Sequence, residues 1–112
     1  MNPTELQALK ADLFRAMAHP VRIRILELLA QKERSVQELQ ESIGTDQPVV
    51  SQHLAVLRSR LLVTARKQRT QAYYALRSPL VAELLRVSRE FLSDRLTESQ
   101  SMLRELRRER RR

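Results

Sequence analysis

Cysteine is missing from this 112-residue chain, so neither a disulfide framework nor a thiolate metal site is open to it. Apolar residues never run for the ~20 positions that a membrane-spanning helix needs. The opening Met1-Asn2-Pro3-Thr4-Glu5 lacks the charged-then-apolar layout of a secretory signal, which leaves a cytoplasmic location as the expectation. A single glycine, Gly44, leaves no glycine-rich loop to cradle phosphate groups. No Asp or Glu occurs from Gln47 to Ala82, whereas Arg58, Arg60, Arg66, Lys67, Arg69 and Arg77 all fall there. Such a window, in a chain of formal charge +8, points to an anionic partner, either nucleic acid or an anionic membrane surface.

What is present divides into amphipathic segments. Hydrophobic residues make up 42% of the chain, too many for wholesale disorder and enough for one modest core. Thr4 with Gln7 fits a capping box, and Leu6, Leu9, Leu13 and Met17 recur at helical spacing, which predicts a first helix over about 4–17. His19-Pro20 interrupts it, because proline suits a first helical turn and pushes its predecessor out of the helical region. A second helix follows with Val21, Ile25, Leu28 and Leu29 on one side. Ser35 and Glu38 form another capping box for a short third helix, whose stripe is Val36, Leu39 and Ile43 and which Gly44 ends. Asp46 can cap a fourth helix that tolerates Pro48 in its first turn. Val50, Leu54 and Leu57 face inward on it, leaving Gln47, Val49, Ser51, Gln52, Ala55 and Arg58 outside or on the flanks.

The period then changes. Residues 62–67 and 72–76 are rich in strand formers with polar Gln68 to Gln71 between them, the pattern of a β-hairpin. Ser78-Pro79 opens a last helix reaching about Leu106. It bears two apolar stripes, one of Leu80, Leu84, Val87 and Phe91, the other of Leu85, Leu92, Leu96, Leu103 and Leu106, and two stripes imply two packing partners. Residues 1–103 are expected to form one domain and the Arg-rich residues 104–112 a frayed basic tail.

Three separated motifs carry a family resemblance: Ala18-His19-Pro20-Val21-Arg22-Ile23-Arg24-Ile25-Leu26, the segment Gln47-Pro48-Val49-Val50-Ser51-Gln52-His53-Leu54-Ala55-Val56-Leu57-Arg58, and Tyr73-Tyr74-Ala75-Leu76. In that order they resemble the ArsR-type (SmtB-like) family of bacterial regulators over roughly residues 10–95. The resemblance implies a mainly α fold with a small β-hairpin, a winged helix-turn-helix, assembled as a homodimer through its first and last helices. It also implies a transcriptional regulator, usually a repressor relieved by an effector, whose fourth helix enters the major groove of double-stranded DNA. Leu6, Leu9, Leu13, Leu85, Leu92, Leu96 and Leu103 are the expected dimer contacts.

Residues matching the family's DNA contacts are Gln47, Pro48, Ser51 and Gln52. The chemistry suits them: glutamine pairs bidentately with adenine, serine serves donors or acceptors, and an exposed Val49 can touch a thymine methyl. Arg58 completes the expected reading helix, and Arg66, Lys67 and Arg69 the wing that approaches flanking phosphates or the minor groove. Glycine is usual in the family at the positions of Leu61 and Arg69. His53 is expected to be packed or half-buried, and His19 to shape the turn between helices.

The family's thiolate pair would fall on Ser35 and Gln37, and its interface metal ligands on Arg77 and Pro79, none of them suited to ligating metal through the side chain. No cofactor is therefore evident, although a metal effector on other residues stays open. No serine has a plausible His-acid partner, so enzymatic function is not expected. An alternative from another class is a protein-interaction module, in which the last helix pairs with a different chain, a co-regulator that confers DNA targeting or effector sensing. A membrane role for the tail is weaker, because Glu105 and Glu109 interrupt it and no aromatic residue accompanies it.

Overall fold

A computed structural model describes residues 1–111 of the chain; Arg112, the end of the expected tail, lies outside the described residues. The elements run α1 (Pro3–Met17), α2 (Pro20–Gln31), β1 (Arg34–Ser35), α3 (Val36–Ile43), α4 (Gln47–Ser59), β2 (Val63–Gln68), β3 (Gln71–Leu76) and α5 (Pro79–Arg111). Two compact units result, the first Met1–Ala82 and the second beginning at Glu83.

In the first unit, Ile25 and Leu26 of α2, Leu39 of α3, Val50, Leu54 and Leu57 of α4 and Val63 of β2 are fully buried. The inward stripe expected of α4 is thus the one that forms, and Leu26 joins the side of α2 expected to face the core. Each helix starts where a side chain accepts from, or a proline removes, one of its unpaired first N–H groups. For α1 that place is Asn2 rather than Thr4: Asn2 Oδ1 accepts from the Glu5 N–H at 2.8 Å, and Glu5 returns the bond to the Asn2 N–H at 3.2 Å. Pro3, pre-set for a first helical position, draws the start one residue earlier and leaves Thr4 inside the helix.

The hairpin acquires a third strand. β1 pairs antiparallel with β3, Arg34 opposite Tyr74 and Ser35 opposite Tyr73, giving the order β1-β3-β2. Two residues are too few to leave a period in the sequence. Ser35 then caps α3 as expected, its Oγ accepting from the Glu38 N–H at 3.1 Å, and Gly44 ends that helix at φ 79.

In the second unit α5 continues to Arg111, so the tail expected to fray is helical through the described residues. An Arg108–Glu105 pair at 3.0 Å and cations in the last turn, which suit the negative end of a helix dipole, support it. Among the described residues no helix is long and apolar enough to cross a membrane.

Candidate nucleic-acid interface

Burial of Val50, Leu54 and Leu57 decides which side of α4 is presented to solvent. At about 100° per residue, Gln47, Pro48, Ser51, Gln52, Ala55 and Arg58 share one arc, and all six are exposed. Val49 is half-buried on the flank, so it offers less apolar surface than an exposed thymine contact would. The Asp46 carbonyl accepts from the Val49 and Val50 N–H groups at 3.1 and 3.2 Å, but its carboxylate makes no capping bond. Polar side chains therefore crowd the positive end of a helix dipole, a setting that favours phosphate close by and base edges beyond it.

The other flank of α4 is tied down. His53 is half-buried, as expected, and its Nδ1 accepts from Arg22 Nε at 3.2 Å, which places its own proton on Nε2. Arg22 also donates through Nη1 to the carbonyls of Arg15 and Ala16 at 3.3 and 3.0 Å, linking the end of α1 to α4 through α2. The His19 ring lies 4.2 Å from that of His53, and its Nδ1 accepts from the Val21 N–H at 3.1 Å, so His19 caps α2. Desolvation first, then the nearby His19 and Arg22, hold the His53 imidazole below its ordinary value. Neither the tilted ring contact nor Arg22 left a local signal, since Arg22 and His53 are 31 positions apart.

α4 ends in a Schellman motif: the Leu62 N–H bonds to the Leu57 carbonyl at 2.9 Å and the Leu61 N–H to that of Arg58 at 3.1 Å. This closure requires a left-handed residue between, and Leu61 adopts φ 63. The wing turn makes the same demand, because Gln68 pairs with Gln71 and leaves a two-residue loop in which Arg69 has φ 61. The two positions where glycine is usual in the resembling family are thus, among the described residues, the two non-glycine residues with positive φ.

Lys67 and Arg69 are exposed on the wing. Arg66 is engaged: Nε and Nη2 donate to the two carboxylate oxygens of Glu33 at 2.9 and 2.5 Å, Nη1 donates to Gln68 Oε1 at 2.8 Å, and the guanidinium lies 4.9 Å from the ring centroid of Tyr73, its cross-strand partner. Glu33, just before β1, brings a carboxylate to a wing whose own sequence has none. An open cleft of about 420 Å³ separates the wing turn from the starts of α3 and α4, with Gln37, Gln40, Gln47, Thr70 and Gln71 on its walls. Near the C-terminal end of α4, Arg58 and Arg77 line a second hollow of about 240 Å³.

The expected dimer residues are distributed over both units. In the first, Leu6 and Leu9 are exposed and Leu13 half-buried. In the second, Leu85 is half-buried, while Leu92, Leu96 and Leu103 are exposed, together with Phe91 of the other stripe. At the family's metal positions, Ser35 Oγ is the cap of α3, Gln37 Nε2 donates to Glu41 at 3.3 Å, and Pro79 is the first residue of α5. Glu83 and Glu90 of α5 are both paired with Arg86.

Comparison with known proteins agrees with this geometry. The sequence profile described as bacterial regulatory protein, arsR family, matches residues 19–64. The chain is 43% identical over 108 residues to the HTH-type transcriptional regulator Rv0081 of Mycobacterium tuberculosis (strain ATCC 25618 / H37Rv), covering 96% of this chain and 95% of that protein. The crystal structure of Rv0081 superposes with a TM-score of 0.79 at 42% identity, over 88% of this chain and 98% of that one. The homodimeric winged helix-turn-helix DNA-binding domain of Mb0332 from Mycobacterium bovis superposes at 0.77 with 32% identity, over 85% and 88%. A biofilm growth-associated repressor of Xylella fastidiosa (strain 9a5c) is 39% identical over 75 residues, 67% of this chain and 66% of that protein. With an exposed polar reading helix, a basic wing and this degree of likeness along nearly its whole length, the chain belongs to the ArsR family of bacterial regulatory proteins, winged helix-turn-helix DNA-binding transcriptional regulators rather than enzymes.

Proposed function

We propose that this regulator is a cytoplasmic homodimeric repressor that binds a pseudo-palindromic operator, with α4 of each protomer in the major groove and the wing, bearing Arg66, Lys67 and Arg69, on flanking DNA. The observation that carries the reading is the exposed arc of Gln47, Pro48, Ser51 and Gln52 on a helix whose opposite side is fully buried. Side chains reach base edges from such a helix without cost to the core. Two-fold symmetry sets the half-sites about 34–36 Å apart, one turn of DNA. The homodimeric state described for Mb0332 and the repressor role of the Xylella relative support the assembly and the direction of regulation.

Operator and random duplex binding by Ser51→Ala and Gln52→Ala variants tests it. Loss of a good base contact is expected to cost ~1–3 kcal/mol of discrimination, with random-duplex binding unchanged. Equal loss on both duplexes removes these residues from the reading role. A second reading rests on the exposed leucines of the second unit, which equally suit a different partner chain. Tight, sequence-specific binding by the purified chain alone rejects it.

A further inference from the structure

We infer that Glu33 sets the number of cations the wing presents to DNA: it acts as a positioning residue that compensates Arg66, leaving Lys67 and Arg69 as the wing's counterion-releasing contacts. This deepens the proposed function and rests on the wing lying against DNA.

The argument starts from the guanidinium. Arg66 has five N–H donors, and three are spent inside the protein, two on the Glu33 carboxylate and one on Gln68. The two-point pairing of a planar fork with a carboxylate fixes orientation as well as charge. Tyr73 backs the same guanidinium, and the Arg66–Tyr73 register of β2 and β3 holds that ring opposite. Hydrogen bonding to Arg66 keeps the Glu33 carboxyl below the usual carboxylate range, so it is ionised wherever DNA binding is measured. A phosphate meeting this site finds a guanidinium whose charge is already balanced, with two N–H groups left to donate. Arg66 can orient the backbone there, but it displaces no net counterion. Lys67 and Arg69, exposed on the same hairpin, carry the electrostatic part.

The salt dependence of duplex binding tests this. Each cation that newly neutralises a phosphate steepens the plot of log affinity against log salt by about 0.9. Glu33→Gln keeps the length and one acceptor oxygen but removes the charge. It is expected to steepen the slope by about 0.9 and to strengthen operator and random duplex binding by the same factor, while Arg66→Ala alone, which leaves the Glu33 carboxylate uncompensated on the wing, weakens both equally and does not steepen the slope. The double variant Glu33→Gln, Arg66→Ala is expected to return to the original slope. An unchanged slope or weaker binding in Glu33→Gln overturns the inference, as does a gain that survives in the double variant, since Glu33 would then act through the general field. If Lys67→Ala with Arg69→Ala also leaves the slope unaltered, the wing itself is off the DNA and the proposed function fails at that point. A flattened slope there, with no response in Glu33→Gln, sinks only the assignment of Glu33.

Discussion

Leu61 and Arg69 hold left-handed backbone conformations that cost an L-residue roughly 1–2 kcal/mol each. Glycine would remove the steric cost and restore ~0.5–1 kcal/mol of it as unfolded-chain entropy. Leu61→Gly loses little packing because Leu61 is 61% exposed, so a net stabilisation of about 0.5–1 kcal/mol is expected in denaturant unfolding. Leu61→Ala, which keeps a Cβ, should show no such gain; equal gains from both would reject the conformational explanation. His53 adds a pH dependence. Its folded imidazole is held below the ordinary value of about 6.5, so the unfolded chain binds the proton more readily. The stability it contributes is complete above about pH 6.5 and is lost as pH falls from there through the folded value. Unfolding free energy measured between pH 5 and 8 should fall on the acid side, and His53→Asn should reduce that slope. The exposed arc of α4 was legible in single residues, because fully buried Val50, Leu54 and Leu57 leave no other side for Gln47, Ser51 and Gln52. Glu33 and Arg22 were not, since each acts on a residue more than thirty positions away.

The elements owe their limits to local chemistry wherever one side chain serves its own backbone. Ser35 shows the strength of that rule and its incompleteness. Its hydroxyl accepts from the Glu38 N–H, and the Glu38 carboxylate accepts from the Ser35 N–H at 3.4 Å, the reciprocal pairing visible in the sequence. The same residue also pairs with Tyr73 in β1 and is buried, which the capping pattern does not announce. Ser35→Ala is expected to cost ~1–2 kcal/mol, as buried caps do, with α3 and the wing loosening together. Hydrogen exchange would show both, through faster exchange in the first turn of α3 and along β3. An effect confined to α3 would mean that β1 is not coupled to the cap. The position that would hold a metal-binding thiolate in the resembling family is here a buried junction between helix and sheet. In α4 the cap is weaker: Asp46 leaves its carboxylate free, so the helix is held by its buried side and its Schellman closure.

Assembly is the remaining determinant of function. Leu6 and Leu9 in the first unit and Phe91, Leu92, Leu96 and Leu103 in the second leave large apolar side chains in water. Exposure of large apolar side chains on each unit is what an interaction surface requires. Sedimentation is expected to show a dimer at micromolar concentration, and Leu92→Glu with Leu96→Glu to shift it to monomer while weakening operator binding far more than random-duplex binding. A monomeric native chain would reject the homodimer. Helix periodicity, the Ser35–Glu38 capping pair, the glycine after α3 and the basic window all follow from neighbours a few positions apart, so they were readable from one-dimensional order. Which cations stay free, which groups desolvate and hydrogen-bond His53, and that two residues complete a sheet depend on groups brought together from distant positions. Those were settled only by the folded chain, because charge compensation and desolvation depend on distance in space and not on separation in sequence.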